Sequence, residues 1–259
     1  REYLEFNFEQ YEKIRNYCNK LNIDFICTAF DPDSANFLNE IKIDAFKVAS
    51  ADIVNTPLLE VMSKYELPII ISTGGALIED INRAKIAINK THNNLSILHC
   101  VATYPSHASE LNLNSIEYLN DQFLNNIIGF SSHFNGISLD LVAYILGAKI
   151  IEKHFTLDRT SKGSDNSFSL EPQGLSKLVR DLRRADESLG KKQKLVLDKE
   201  VKDLLKMRKK IVAAENIKAG TILNEEHITY KSPGDGIPPY ENNKLLGRKL
   251  KHDIFKDKG

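Results

Sequence analysis

A chain of 259 residues with 42% hydrophobic side chains has material for one large core, or for a large core and a small one. Its 35 Lys and Arg balance 35 Asp and Glu, so the basic excess that neutralises nucleic-acid phosphates is absent. Cys18, Cys27 and Cys100, at unrelated spacings, argue against a disulfide framework or a CxxC zinc site and predict a reducing, cytoplasmic setting; no apolar run approaches the ~20 residues that span a bilayer.

The first helical pattern covers about 7–21. Short apolar, β-prone runs follow at 24–30, 45–48, 68–72, 95–100, 126–130 and 149–153. Their apolar character on both sides predicts strands covered by helices. Helical spacing occupies the segments between them, such as 34–41, 57–65 and 78–88. A further helix is predicted over 172–189, with Leu175, Leu178, Val179, Leu182 and Leu189 on one face and Gly190 as its stop. This alternation predicts a parallel sheet with right-handed crossovers, either doubly wound or an eight-fold barrel. Six βα units are legible, and the chain opens at Arg1 without a methionine. A barrel would therefore lack its first two units here. Residues 1–190 form the predicted β/α domain and 191–210 a charged, partly helical linker. Residues 211–259 read as a small domain of short strands that breaks off in the turn-like KDKG.

In a β/α barrel the reactive groups come from the C-terminal strand ends. Every run delivers polar residues there: Thr28 and Asp31; Lys47, Ser50 and Asp52; Ser72-Thr73-Gly74-Gly75; His99, Cys100 and Tyr104; Ser131 and His133; His154 and Asp165. His133 and His154 lie one βα unit apart, so they project from neighbouring strand ends and are candidates for one shared ion. Two imidazoles without an adjacent cysteine suit Mn²⁺, Mg²⁺ or Zn²⁺ completed by oxygen ligands. His99, inside an apolar strand, is predicted to be a hydrogen-bonded core residue. The STGG segment reads as a tight turn, with an anion cradle as the alternative. A lysine inside a buried strand is costly unless it meets an anion, so Lys47 with Thr28, Ser50 and Ser131 predicts a pocket for a small, highly charged ligand.

Six motifs, FKVASADIVNTPLL, IIISTGG, ILHCVATYPS, IIGFSSH, GAKIIEKHFTLDR and YKSPGDGI, in this order, resemble the sialic acid synthase family. That family includes N-acetylneuraminate, legionaminate and pseudaminate synthases and spore-coat polysaccharide relatives. The resemblance runs from about residue 25 to the end. It implies a TIM-type (β/α)8 barrel followed by a C-terminal antifreeze-like (SAF) domain. It also implies condensation of phosphoenolpyruvate with an N-acetylated mannosamine-type sugar to a nine-carbon 2-keto acid and phosphate. His133 and His154 match the metal-binding histidines, for Mn²⁺ or Mg²⁺. Thr28, Lys47, Ser50, Ser72, Tyr104 and Ser131 match residues lining the phosphoenolpyruvate site. Asp52 matches an acidic position beside the acceptor sugar, and Asp165 an aspartate that binds its hydroxyls. The resemblance further implies a domain-swapped homodimer whose second domain reaches over the partner's barrel mouth.

Several positions depart from the family pattern. The N-terminal strands, which in the family carry a glutamate near the metal-bound water and a further lysine, are not in this chain, so the chain by itself is expected to be inactive. Ser232 replaces an arginine that contacts the acceptor's N-acetyl group, with Lys231 next to it as a substitute cation. Ser132 replaces an aspartate before the first metal histidine, and Ala102 an asparagine. The alternatives are another phosphoenolpyruvate-using barrel synthase, which would lack the appended domain, or a non-catalytic binding homologue.

Overall fold

The apolar runs of the first unit, Arg1–Gly190, become six strands: β1 Ile26–Thr28, β2 Ala45–Val48, β3 Ile69–Ser72, β4 Leu95–Cys100, β5 Ile127–Ser132 and β6 Ile150–Lys153. The computed structural model describes residues 5–259. Seven helices alternate with these strands: α1 Phe8–Leu21, α2 Pro32–Glu40, α3 Thr56–Ser63, α4 Ile78–Ile88, α5 Ser115–Gln122, α6 Ser138–Ile145 and α7 Pro172–Leu189. Local chemistry sets their ends. Asn7 and Gln10 close a capping box at the start of α1. Asp31 accepts from the Ser34 amide, at 2.8 Å, ahead of Pro32 at the first turn of α2. Gly190 ends α7 with φ of 54°.

All six strands are parallel and hydrogen-bonded in sequence order, β1-β2-β3-β4-β5-β6. A doubly wound sheet would reverse its order at a switch point. This sheet never reverses, so the barrel-type architecture is the one present. The main core lies between sheet and helices, where Phe46, Ile69, Ile71, Ile97 and Phe130 meet the helices' buried faces. A second, smaller cluster on the opposite, inner face consists of Ala45, Ile70 and Leu98 with Ile150 packed against it.

Side chains alternate along a strand. Two residues beyond that apolar floor, the same face therefore carries Lys47, Ser72, Cys100 and Glu152, with Ser131 beside them. Two residues further stand His133 and His154. Gly129 completes the floor: a Cβ there would lie 2.4 Å from Leu98 Cδ2 and 2.7 Å from the Ile150 carbonyl oxygen. β5 runs two residues past the apolar run that marks it in the sequence, because Ser131 and Ser132 continue the ladder to Glu152 and Lys153.

The second unit is Lys191–Gly259. It contains α8 Asp198–Met207 and an antiparallel pair, β7 Lys210–Ala213 with β8 Ile228–Lys231. The ladder already includes Lys210, which the sequence assigned to the connector. Isolated bridges Ile217↔Ile254 and Ile222↔Lys249 tie in the remaining turns. An apolar pocket of about 220 Å³, partly open to solvent, lies in this unit, lined by residues that include Ile211, Ile217, Leu223, Leu250 and Ile254. Among the described residues no helix is long and apolar enough to cross a membrane.

Candidate active site

Two bridges organise the rim of the sheet. The loop after β4 pairs Ser106 with Phe134, and the loop after β6 folds back so that Phe155 pairs with Leu170. The first brings Tyr104 over His133, with ring centroids 4.0 Å apart. The second brings Asp165 to His154, its Oδ2 3.4 Å from Nδ1. Phe168 packs against both Tyr104 and His154, at 6.3 and 5.2 Å.

The two histidines meet. Their ring centroids are 5.2 Å apart and the planes nearly perpendicular, at 83°. His133 Nδ1 lies 2.8 Å from the Val101 carbonyl oxygen. A carbonyl only accepts, so Nδ1 carries a hydrogen, and in the neutral ring Nε2 keeps its lone pair. This is the orientation in which a ligating histidine is held by its other nitrogen. Two imidazoles bound at ~2.1 Å to one ion and meeting near a right angle would put their centroids about 5 Å apart, so the pair fits a shared cation. Among the described residues no cluster of three or more His, Cys, Asp or Glu is placed to hold a metal, so water or substrate oxygens would supply the other ligands.

Electrostatics separate the two rings. Burial opposes protonation of His133, but its hydrogen bonds to Cys100 and the Val101 carbonyl raise its pKa. His154 is lowered, by burial and then by the neighbouring His133, against Asp165 and Glu152. Burial would raise the Cys100 thiol, yet His133, Ser50 and Ser131 bring it below its ordinary value.

Beneath the histidines lies the predicted anion site. Lys47 donates to Ser72 Oγ at 2.7 Å and to the Val48 carbonyl at 2.9 Å, and its Nζ stands 3.7 Å from Glu152 Oε2. The Ser131 hydroxyl donates to Glu152 Oε1 at 2.6 Å. Burial lowers the Lys47 pKa, and the Glu152 charge opposes that shift. Ser50 Oγ accepts from the Gly74 amide at 3.0 Å and lies 3.7 Å from Cys100 Sγ. The Thr73 amide is bonded to the Leu98 carbonyl, and the Ala76 amide to that of Thr73. STGG is therefore a turn whose amides are largely engaged. A Cβ on Gly74 would lie 2.9 Å from both Ala102 Cβ and Ser50 Oγ, so the glycine allows the two loops to approach.

The structure thus joins Lys47, Ser50, Ser72, Tyr104, Ser131, His133, His154 and Asp165 at one rim. Thr28 reaches it through its register with Lys47. Asp52 stands on the short 3₁₀ turn after β2, where Asn55 Nδ2 lies 3.4 Å from its Oδ1. Glu152 is the residue that sequence reasoning missed. KIIEK reads as a strand with a polar tail, and the available signal was that Glu152 lies two positions before His154 and so shares its face. His99 is a core residue: its Nε2 bonds the Leu111 carbonyl at 2.7 Å and its ring packs on Phe130. In the second unit the Ser232 hydroxyl donates to the Met207 carbonyl at 3.0 Å, and Lys231 pairs with Asp257 at 2.6 Å.

Comparison with known proteins gives this arrangement a family. The sequence model of the NeuB family matches residues 1–194, and that of the SAF domain residues 208–258. The chain belongs to the NeuB family. It is 36% identical to the N,N'-diacetyllegionaminic acid synthase of Campylobacter jejuni, over 95% of this chain and 74% of that protein. It is 34% identical to the human N-acetylneuraminate-9-phosphate synthase, over 99% and 72%. The crystal structure of the N-acetylneuraminic acid synthetase of Leptospira borgpetersenii, in complex with citrate, superposes with a TM-score of 0.71 at 36% identity, covering 77% of this chain and 70% of that one. A truncated 3-deoxy-D-arabino-heptulosonate 7-phosphate synthase from Thermotoga maritima, at 18% identity and a TM-score of 0.63, shares the fold. Its relatives place this NeuB-family chain among sialic-acid-type synthases, enzymes of carbohydrate biosynthesis.

Proposed function

We propose that the protein condenses phosphoenolpyruvate with an open-chain, N-acetylated mannosamine-type sugar, releasing phosphate and a nine-carbon 2-keto acid, in a divalent-metal-dependent reaction. The observation that carries this reading is the stacking of two layers on one face: the His133–His154 pair above, and the Lys47, Ser72, Ser131 and Glu152 layer below.

The lower layer suits phosphoenolpyruvate. The Lys47 ammonium, partly desolvated and held by Ser72, offers a fixed cation to a carboxylate or phosphate, and the Ser50 and Ser131 hydroxyls offer donors. Glu152 keeps Lys47 charged and orients Ser131. Bound Mn²⁺ or Mg²⁺ would supply Lewis acidity at the sugar aldehyde, and His133 Nε2 and His154 are the groups that would hold it. Tyr104 and Phe168 cover the rings and restrict water, while Asp165 presents a carboxylate to sugar hydroxyls. A new bond joins C3 of phosphoenolpyruvate to the aldehyde carbon. One water adds at C2, and phosphate departs with the former enol oxygen. A homodimer in which the SAF domain completes the partner's site is part of the same proposal.

The test uses the full-length protein. Phosphate release from phosphoenolpyruvate is expected only with both an amino-sugar acceptor and a divalent metal, and His154→Ala should reduce it at least about 100-fold without unfolding the protein. Release that persists in chelator-treated, metal-free protein would sink the mechanism. Comparing N-acetylmannosamine with 2,4-diacetamido-trideoxy sugars identifies the acceptor.

A further inference from the structure

Between Glu152 and His154, which face the rim, Lys153 points the other way, toward α6. Its side chain is 5% exposed, and Asp140 on α6, whose Oδ2 is 3.3 Å from its Nζ, is 0% exposed. The same ammonium donates to Ser132 Oγ at 3.0 Å, to the Phe134 carbonyl at 2.8 Å and to the Gly136 carbonyl at 2.9 Å. Ser132 and Phe134 are the residues on either side of His133. One buried cation therefore ties the backbone around His133 to the strand residue adjoining His154.

We propose that Lys153, anchored by Asp140, is a positioning residue that fastens the 132–136 loop to β6 and so fixes the facing of His133 toward His154.

Two physical arguments support this role over simple packing. A buried ion pair is a poor source of stability, since apolar replacements of the same volume are often neutral or better. Its geometry is better explained by what it holds in place. Second, apart from one bridge, in which the Ser106 amide donates to the His133 carbonyl, the loop has no backbone ladder here, and Gly136 sits at φ of 124°, which turns its carbonyl to Lys153 only with a glycine backbone. Without the ammonium, two inward carbonyls and the Ser132 hydroxyl would lose their donor, and the loop would relax away from the strand. Burial raises the Asp140 pKa, and the Lys153 charge with the nearby Ser132 hydroxyl opposes that shift, so the carboxylate serves as the counter-charge of Lys153. Because Ser132 Oγ is within bonding distance of Lys153, a carboxylate at position 132 could take over that service from the neighbouring strand.

The variants are Asp140→Asn, Lys153→Met and the double change Ser132→Asp with Asp140→Asn, in the full-length protein. The first readout needs no metal: the ring ¹H–¹⁵N NMR spectrum of His133, which reports whether Nδ1 keeps its hydrogen for Val101. Asp140→Asn should turn the single Nδ1–H tautomer into a mixture while the thermal transition remains cooperative, and the double variant should restore the single tautomer. The second readout is Mn²⁺ titration by electron paramagnetic resonance, where Asp140→Asn should bind roughly tenfold more weakly and the double variant near wild type. An unchanged His133 tautomer in folded Asp140→Asn protein overturns the proposal, as does a tautomer change that the double variant fails to reverse. Only the Mn²⁺ arm rests on the metal reading given above. Wild-type protein that binds no Mn²⁺ refutes that reading, and the tautomer spectra still decide the role of Lys153. Should Lys153→Met not fold, Asp140→Asn and its rescue carry the test.

Discussion

His99 and His133 each give one ring hydrogen to a backbone carbonyl, and the surroundings of the rest of the ring separate their roles. The His99 ring lies in the core on Phe130, while that of His133 opens onto His154 and Tyr104. Burial lowers the His99 pKa from its ordinary 6.5, with the Leu111 hydrogen bond partly opposing. The folded protein therefore binds this proton less readily than the unfolded chain does. Stability from His99 is complete above about pH 6.5 and is lost as the pH falls toward the lowered value. Between about pH 7.5 and about pH 5, the melting temperature of His99→Gln should fall less than that of wild type; equal slopes in calorimetry would refute the assignment. At this scale the core position of His99 was legible in the sequence, because an imidazole within a continuous apolar run differs visibly from one that follows Ser-Ser. The sequence could not show Glu152 or the Lys153–Asp140 tie. Both depend on which way adjacent charged residues of one strand point, and on a helix whose closeness is a tertiary fact.

Among the elements, β5 is the most constrained. It carries Gly129 in the floor, Ser131 in the polar layer and His133 just past its end, all on one face. A methyl group on Gly129 would press on the Ile150 carbonyl, which is backbone and cannot rotate aside. Gly129→Ala should cost about 1–3 kcal/mol in chemical denaturation, and it should also impair activity, since β6 can retreat only by carrying Glu152 and His154 with it. A variant as stable as wild type would show that the floor has slack. The strands themselves were legible in the sequence because parallel strands covered on both faces read as apolar runs. The run at 126–130 gave only part of β5. Its last residues are polar for the sake of the site, and apolar patterning is silent there.

For the molecule as a whole, alternation of strand and helix left two architectures open, and the unreversed strand order decides between them. The division after Gly190 was visible as a change of texture, from long apolar runs to short ones broken by turns. Hidden from the sequence was how loosely the second unit is filled. Its Ile and Leu residues line a partly open pocket of about 220 Å³ in place of closing it. An under-filled apolar pocket of this kind loses its empty volume on unfolding, so hydrostatic compression should act on the second unit first. In high-pressure NMR the signals of Val212, Ile217 and Ile254 should fade before those of Phe46 and Ile97, whereas simultaneous loss would mean that the hollow does not govern compressibility. Widening Leu250 to Phe would then raise the pressure that the SAF fold withstands, giving a handle on the stability of the second unit apart from that of the first.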